Sequence, residues 1–269
     1  MKPADVTFRR ELGSAYATAA RAWASGAAVV YNALAGALVD EIVGELPAAD
    51  APVLDLCAGT GAASAALVRR GLPVVAADLS WEMLQVDRAA RPPAVAADAS
   101  ALPFRAAAFT AVVIAFGLNH ATDPVRFLAE ARRATRSGGC IASSTFLRGW
   151  AHPAKAAVDQ ALAGFGFQTP TWHRRLKDDV EPATATASAL VGVAAQAALV
   201  GPRVRVVEVA IDASVEEVVG WRCSMASHAG FVESLPAEAR AAATELAVAE
   251  VRRQWQPLVV PMLVMTARA

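Results

Sequence analysis

An acid and two glycines follow an apolar run early in the chain, and a second acid follows the next apolar run. Residues 53–61 read Val-Leu-Asp-Leu-Cys-Ala-Gly-Thr-Gly, which is typical of a strand, a tight loop and the start of a helix. Gly59 and Gly61 permit positive φ and let a ligand approach the backbone, and N–H groups at a helix start face such a ligand. Asp78 ends the next apolar run, where a carboxylate can bind ribose hydroxyls. This spacing predicts a site for a cofactor that contains a nucleoside.

A dinucleotide site is the main alternative for this loop. A dinucleotide fingerprint reads G-x-G-x-x-G, and its third glycine lets the helix pack closely on the strand. Ser64 stands at that third position here. We also identify no residues suited to hydride transfer, so the sequence disfavours an NAD site.

The composition favours a globular protein and excludes several partners. The 269 residues are 55% hydrophobic with a mean hydropathy of +0.37, which excludes a disordered chain. Lys+Arg and Asp+Glu number 25 each, without a basic block, so we expect no nucleic-acid partner. Cys57, Cys140 and Cys223 fit neither a disulfide framework nor a zinc site. We therefore expect a cytoplasmic protein without a metal.

The N-terminal region is apolar, but charges interrupt it. Arg21 precedes the run Gly26–Val39, and Asp40 ends it. A run of this length is too short to span a bilayer, and Glu11 soon after the chain start is wrong for a signal peptide. We therefore expect no membrane partner.

Apolar residues recur every fourth position before the glycine loop and predict helices over residues 5–46. The stripe consists of Val30, Leu34, Leu38, Ile42 and Leu46. Beyond it, strands and helices alternate, which predicts a parallel, doubly wound sheet. The predicted strands are Pro52–Cys57, Pro73–Asp78, Pro93–Asp98, Phe109–Phe116 and Cys140–Phe146. The predicted helices are Ala62–Arg70, one that begins after an N-cap at Ser80, and one from Asp123-Pro124 to about Thr135.

The pattern loosens after residue 147. We predict a helix over Ala183–Val200, a sixth strand over Val204–Ile211, helices near Val215–Met225 and Pro236–Trp255, and a last strand over Pro257–Thr266. The fold class is thus α/β, with a mainly parallel seven-stranded sheet. We expect one domain over 1–269, with a helical cap over 1–48, a cofactor-binding core over 49–147, and a substrate-side half over 148–269. The helical insertion of about 213–256 is expected to act as a lid, because it is longer than a connection needs.

Four segments resemble the class I S-adenosylmethionine-dependent methyltransferases. Asp55 to Gly61 resembles the glycine-rich first motif, and Asp78 resembles the ribose-binding acid. Ala97-Asp98-Ala99 resembles the segment that clamps adenine. The run Arg-Arg-Ala-Thr-Arg-Ser-Gly-Gly over 132–139 resembles the signature R-x-L-K-P-G-G before the fifth strand.

Residues 116–123, Phe-Gly-Leu-Asn-His-Ala-Thr-Asp, are similar to the ubiquinone/menaquinone-biosynthesis C-methyltransferases. Two positions depart from the pattern. Cys57 replaces a first-motif glycine, and Asn119 replaces a basic residue of the quinone enzymes. The second departure weakens any transfer of their substrate to this chain.

The resemblance implies S-adenosylmethionine as cofactor, with S-adenosylhomocysteine as product. It implies that Asp55 orients the methionine end, that Asp78 binds the ribose, and that Asp98 binds the adenine amino group. Leu79 and Met83 are expected on the adenine face. The remaining implied cofactor residues are Cys57, Ala58, Gly59, Gly61, Ala99 and Phe116.

Methyl transfer is an in-line displacement, so the protein mainly aligns the acceptor, excludes water and removes a proton. His120 follows the fourth strand at the edge where the acceptor binds in this fold, and histidine suits base catalysis at neutral pH. His120 is therefore the candidate base or acceptor-orienting residue, and a rim histidine bonded to a carbonyl is the alternative. The candidate substrate residues are Tyr16, Tyr31, Asn119, Trp150, His152, Trp172, His173, Trp221 and His228.

The expected reaction is methylation of a carbon or oxygen atom of a small, cyclic or apolar metabolite, by a monomer or homodimer. Two alternatives keep the cofactor motifs. One is a cyclase or pericyclase that uses the bound cofactor without consuming it, and the other is a non-catalytic cofactor-binding partner of another enzyme.

Overall fold

A computed structural model describes residues 3–46 and 51–269. It has a single seven-stranded sheet in the order β3-β2-β1-β4-β5-β7-β6. The strands are β1 (Val53–Leu56), β2 (Val74–Asp78), β3 (Ala94–Ala96), β4 (Phe109–Ala115), β5 (Thr135–Phe146), β6 (Val200–Ile211) and β7 (Leu258–Arg268). Only β7 runs antiparallel to its neighbours, which confirms the predicted fold class. The predicted boundary between residues 48 and 49 lies outside the described residues.

Helices cover both faces of the sheet. They are α1 (Pro3–Ala22), α2 (Ala28–Ile42), α3 (Ala62–Arg69), α4 (Trp81–Gln85), α5 (Pro124–Ala134), α6 (Pro153–Ala163), α7 (Thr171–Arg175), α8 (Ala187–Gln196), α9 (Val215–Cys223), α10 (Ala229–Ser234) and α11 (Ala237–Arg253). β4 explains why both faces must be covered, since Val112, Val113 and Ile114 are fully buried on alternating sides. The two largest apolar clusters among the described residues lie one on each face of the sheet.

The N-terminal helices form one nearly continuous stretch, because a π-helical turn at Trp23–Ala27 joins α1 to α2. The stretch Asp5–Glu45 is long and apolar enough to cross a membrane by length and composition alone. The apolar run Gly26–Val39 is thus part of a longer helical stretch than the sequence pattern predicts. The stripe has a different explanation, since Leu34, Leu38 and Ile42 are fully buried in the core of the protein.

The predicted helix starts are confirmed in detail. Ser80 Oγ accepts a hydrogen bond from Met83 N at 3.2 Å, and Asp123 Oδ1 accepts one from Arg126 N at 2.9 Å. β5, by contrast, begins five residues earlier than predicted. Thr135 already pairs with Phe109, so this segment joins the sheet before Gly138 and Gly139 rather than after them.

The segment between β5 and β6 contains helical turns that the sequence pattern did not predict. Besides α6 and α7, it includes a π-helical turn over Leu176–Val180 and a 3₁₀ turn over Glu181–Ala183. α8 ends at Gln196 rather than at the predicted Val200, because β6 starts at Val200. The predicted lid consists of α9 to α11, and α11 packs against α6 and α9.

Two glycines of the N-terminal stretch provide a test of this packing. A Cβ atom at Gly26 would lie 2.6 Å from the carbonyl oxygen of Gly220 in α9, whereas a Cβ at Gly36 would meet nothing within 4 Å. We expect Gly26→Ala to lower the free energy of unfolding by about 1–3 kcal/mol, because backbone must move. The matched Gly36→Ala should raise it by up to about 1 kcal/mol. Urea unfolding measures both, and equal effects would contradict the close approach of α9.

Candidate cofactor and acceptor site

One cavity of about 870 Å³ lies at the carboxyl ends of the central strands. β2 lies on one side of β1 and β4 lies on the other, so the strand order changes direction at β1. The cavity opens at this point. Such a switch point is where open α/β sheets bind ligands. α1 and α2 lie over the cavity, and residues from the segment after β5 line its far side.

The glycine loop is held open by one carboxylate. Gly59 N donates to Asp78 Oδ2 at 2.8 Å, and Ser80 N donates to Asp78 Oδ1 at 2.8 Å. Gly59 adopts a φ of +52° and Cys57 a φ of +63°, so the loop turns its backbone toward the cavity. Each Asp78 oxygen keeps a second lone-pair direction that a hydroxyl can use.

Arg91 stabilises the same loop by hydrogen bonds. It belongs to none of the sequence motifs. Its Nη2 donates to Gly59 O at 2.9 Å and its Nη1 donates to Met83 O at 2.8 Å. Gly61 lies against this guanidinium and does not line the cavity. Gly61, with a φ of +97°, therefore supports the loop and lies outside the cavity, although the resemblance implies a cofactor contact for it.

Asp55 is fully buried and reaches the cavity from β1. Its Oδ2 accepts from Ser64 Oγ at 2.6 Å, while its Oδ1 has no hydrogen-bond partner among the described residues. Burial raises the pKa of Asp55 to about 6, although the Ser64 hydrogen bonds oppose the rise. An unpartnered buried carboxylate oxygen fits a cationic ligand group, because only a donor can compensate its burial.

Asp98 also lines the part of the cavity that is predicted to bind the cofactor, which is called the cofactor half below. It forms an ion pair with Arg9 of α1 and accepts from Ser100 N at 2.9 Å. Burial raises the pKa of Asp98, but the hydrogen bonds from Arg9 and Ser100 outweigh it, so the net shift is downward. Apart from Gly61, every predicted cofactor residue lines the cavity: Asp55, Cys57, Ala58, Gly59, Asp78, Leu79, Met83, Asp98, Ala99 and Phe116.

His120 and Tyr16 meet in the part of the cavity that is predicted to bind the acceptor, which is called the acceptor half below. The Tyr16 hydroxyl lies 2.9 Å from His120 Nε2. Burial lowers the pKa of His120 to about 4 and raises that of Tyr16, so both are neutral at pH 7. The carbonyls of Gly117 and Phe116 also interact with the imidazole, and carbonyls only accept. They favour a proton on Nδ1 and leave Nε2 to accept from Tyr16.

Aromatic rings form the walls around this pair. Trp23 and Tyr31 have ring centroids 4.7 Å apart, and Phe116 and Phe146 are 4.6 Å apart. Trp172 completes the lining. Such walls suit a flat or apolar ligand.

Two buried polar atoms also occur among the predicted substrate residues of this half. Asn119 Oδ1 and His173 Nδ1 have no hydrogen-bond partner among the described residues. Burial lowers the pKa of His173 to about 3. Both side chains are therefore neutral groups that a polar ligand atom can satisfy.

Four predicted substrate residues lie outside the cavity. Trp150 stacks on the outer side of Phe146 at 5.7 Å, and its Nε1 donates to Val259 O. His152 caps α6 by accepting from Ala154 N at 3.3 Å. Trp221 is buried beside Trp150, and His228 lies behind the cavity wall. These positions were wrong because nearness in sequence to β5 or to the insertion does not specify the direction of a side chain.

The described residues that sequence reasoning missed come from packing between distant segments. Lys177 and Leu176 reach the cavity from the unpredicted π-helical turn, and Ser227 reaches it from the turn between α9 and α10. Arg9 comes from α1. Each lies in a segment without a motif, so no local pattern indicates that it belongs to the site.

Comparisons with known proteins agree with this geometry. Residues 54–143 match the family model described as a methyltransferase domain. A demethylmenaquinone methyltransferase of Renibacterium salmoninarum is 43% identical over 111 residues, which covers 40% of this chain and 46% of that protein. The chain thus spans about half the length of the relatives it matches.

Solved structures share the fold over most of the chain. A protein of Anabaena variabilis, described as a methyltransferase from an antibiotic biosynthesis pathway, has a TM-score of 0.60 at 18% identity and covers 87% of this chain and 97% of its own. The [4+2]-cyclase SpnF has a TM-score of 0.53 at 17% identity, with coverages of 87% and 80%. The chain therefore has the Rossmann-like fold of these structures, and its residues 54–143 are similar to a methyltransferase domain. Part of the chain is also similar to the demethylmenaquinone methyltransferases, as the motifs predict.

The buried Asp55 provides a test of the electrostatics. A rise in its pKa from 3.8 to about 6 corresponds to roughly 3 kcal/mol. The raised pKa means that its protonated form is favoured on folding, so its contribution is present below pH 3.8 and is lost as the pH rises through 6. We expect Asp55→Asn to raise the free energy of unfolding of the ligand-free protein at pH 8 by up to about 3 kcal/mol. The gain should be near zero at pH 3.5. Urea unfolding at both pH values measures it, and an equal gain at both would contradict the assignment.

Proposed function

We propose that the protein transfers a methyl group from S-adenosylmethionine to a carbon or oxygen atom of a small, cyclic or apolar metabolite and releases S-adenosylhomocysteine. A single observation carries the proposal. One cavity holds three carboxylates at its cofactor end and a neutral histidine–tyrosine pair at its acceptor end.

The three carboxylates match the donor groups of the cofactor. Asp55 would accept from the ammonium group through its unpartnered oxygen, Asp78 from the ribose hydroxyls, and Asp98 from the adenine amino group. When bound, the cofactor supplies an electrophilic methyl group on a sulfonium. The residues of this chain supply position and solvent exclusion, which are worth several kcal/mol in a displacement.

His120 and Tyr16 would remove the acceptor proton. His120 Nε2 is unprotonated, and Tyr16 donates its own hydrogen to it. The Tyr16 oxygen keeps its lone pairs for a donor on the acceptor molecule. A proton leaving the acceptor can therefore pass to Tyr16 while the Tyr16 proton passes to His120. The aromatic walls keep water from this path.

A cyclase is the second candidate, because the [4+2]-cyclase SpnF has the same fold. A cyclase would leave the methyl donor unconsumed. A non-catalytic binding partner would form no product at all. We infer a small-molecule acceptor rather than a nucleic acid, a monomer or homodimer, and a cytoplasmic location, which the free thiols of Cys57, Cys140 and Cys223 support.

Calorimetric titration with S-adenosylmethionine and S-adenosylhomocysteine tests the cofactor site first. We expect both to bind, and Asp78→Asn to weaken both by about 100-fold or more, because charged hydrogen bonds to the ribose and to the loop are lost. Asp40→Asn, which alters only a surface ion pair with Arg70, should change nothing. Absence of binding to the wild type would overturn the proposal, and tight binding of the sulfonium form alone would favour a non-methylating role.

Removal of the base tests the acceptor half. With an acceptor found by screening phenols and ketones against radiolabelled cofactor, His120→Ala should lower turnover by about 10²–10⁴-fold. Tyr16→Phe should lower it as well, because the hydroxyl that carries the proton is gone. S-adenosylhomocysteine affinity should stay within about threefold, since neither residue contacts the groups assigned to the cofactor.

The pH dependence adds an independent check. His120 acts only when neutral and has a pKa of about 4. At saturating S-adenosylmethionine, which keeps Asp55 ionised, the wild-type rate should therefore be flat from about pH 5 to 8 and fall below about pH 4. His152→Ala is the matched control, because that histidine caps α6 outside the cavity. A rate that falls with a midpoint near 6.5, or a His120→Ala variant with full turnover, would make His120 a bystander.

A further inference from the structure

A second chain of hydrogen-bonded side chains ends at the wall of the acceptor half. Asp159 of α6 has Oδ1 3.0 Å from His228 Nε2, and His228 Nδ1 lies 2.9 Å from Ser227 Oγ. Arg222 of α9 donates to both Asp159 oxygens, at 2.7 and 2.6 Å. Ser227 lines the cavity, whereas His228 and Asp159 lie behind it. None of these residues is used by the cofactor site or by the His120–Tyr16 pair.

The protons in this chain have one consistent arrangement. Burial raises the pKa of Asp159, but the hydrogen bonds from His228 and Arg222 outweigh this and keep it ionised, so both oxygens accept. His228 Nε2 must then carry a proton. Burial lowers the pKa of His228 below its ordinary value, so its ring is neutral at pH 7 and Nδ1 accepts. The hydrogen of the Ser227 hydroxyl is therefore donated to Nδ1.

Ser227 can therefore act toward the cavity only as a hydrogen-bond acceptor. Its hydroxyl proton is engaged, and only its oxygen lone pairs remain for a ligand. The residue is 4% exposed and His228 is 1% exposed, so water cannot replace a missing partner without entering a buried site. A ligand group that hydrogen-bonds to the Ser227 oxygen must therefore be an O–H or N–H donor.

Ser227 belongs to the same half of the cavity as the base. His173 also lines that half, and its pKa is lowered chiefly by burial and further by its electrostatic interactions with Lys177, Arg222, His228 and His120. It therefore lies within electrostatic range of both histidines. One ligand can then meet Tyr16 at one point and Ser227 at another, across aromatic walls.

We propose that Ser227, oriented by His228 and Asp159, is an acceptor-binding residue, and that the acceptor is a flat molecule with two hydrogen-bond donor groups. One donor is the group that meets Tyr16 and His120. The other is a hydroxyl or amine that meets Ser227. The inference rests on the proposed function, because it concerns the acceptor of the same reaction. It assigns Ser227 a role in selecting substrates, with His228 and Asp159 as positioning residues.

Binding of simple phenols to the protein loaded with S-adenosylhomocysteine tests this inference without methyl transfer. The probes are phenol and 2-naphthol, with one hydroxyl, and hydroquinone, resorcinol, 2,6- and 2,7-naphthalenediol, with two at different separations. We expect the best diol to bind the wild type about tenfold more tightly than its mono-hydroxyl counterpart. Ser227→Ala should reduce that preference to less than about twofold and leave 2-naphthol affinity unchanged. Calorimetry measures all affinities.

Ser224→Ala is the matched control, since the Ser224 hydroxyl sits in the same turn but donates to Trp221 O and does not line the cavity. It should retain the diol preference. The inference is overturned if no diol is preferred by the wild type, if the preference survives Ser227→Ala, or if Ser227→Ala weakens 2-naphthol equally, which would indicate a structural role. A wild type that fails to take up S-adenosylhomocysteine would instead overturn the proposed function.

Discussion

The site depends on one carboxylate that joins two strands of the sheet. Asp78 ends β2, and its two oxygens accept from the N–H groups of Gly59 and Ser80. The first contact fixes the loop after β1, and the second fixes the start of α4. Because β1 and β2 pair in parallel with Asp55 opposite Ala76, this tie brings two acids to the same edge of the sheet. The open loop, the buried Asp55 and the position of Met83 all depend on it.

Burial then determines the charge of the cavity. Removal from water disfavours every ionised form, so the pKa of Asp55 rises to about 6 while that of His120 falls to about 4. The two pKa shifts have opposite signs, but each favours the uncharged form of its side chain. A cationic ligand beside Asp55 reverses the first shift, because it supplies the partner that water no longer provides. His120 needs no such partner, since its neutral form carries no charge to compensate. One cavity can thus hold an uncharged histidine beside a carboxylate that a cationic group would keep ionised.

Local patterns predicted the parts of the site that one strand and its following loop determine. Asp55 lies in β1, Asp78 ends β2 and Asp98 comes soon after β3. Because these strands are parallel neighbours, the sheet itself brings the three acids together, and His120 follows β4 at the same edge. Parts that depend on packing between distant segments were not predictable in this way. His228 was expected in the cavity, but the turn after α9 points Ser227 there and directs His228 toward Asp159. Arg9 and Arg91 belong to no motif, and contacts across the fold place them.

α1 connects the two halves of the cavity. Arg9 contacts Asp98 at the cofactor end, and Tyr16 contacts His120 at the acceptor end. Tyr16 comes seven positions after Arg9, which is about two helical turns, so both side chains project from the same face of α1 about 10 Å apart. Between them Gly13 has no side chain to fill the cavity. The spacing of the two ends is thereby set by a rigid helix rather than by loops. A displacement of α1 that broke the Asp98 contact would also remove the hydroxyl that serves His120. The contacts of α1 with Asp98 and with His120 are therefore coupled, because one helix carries both side chains.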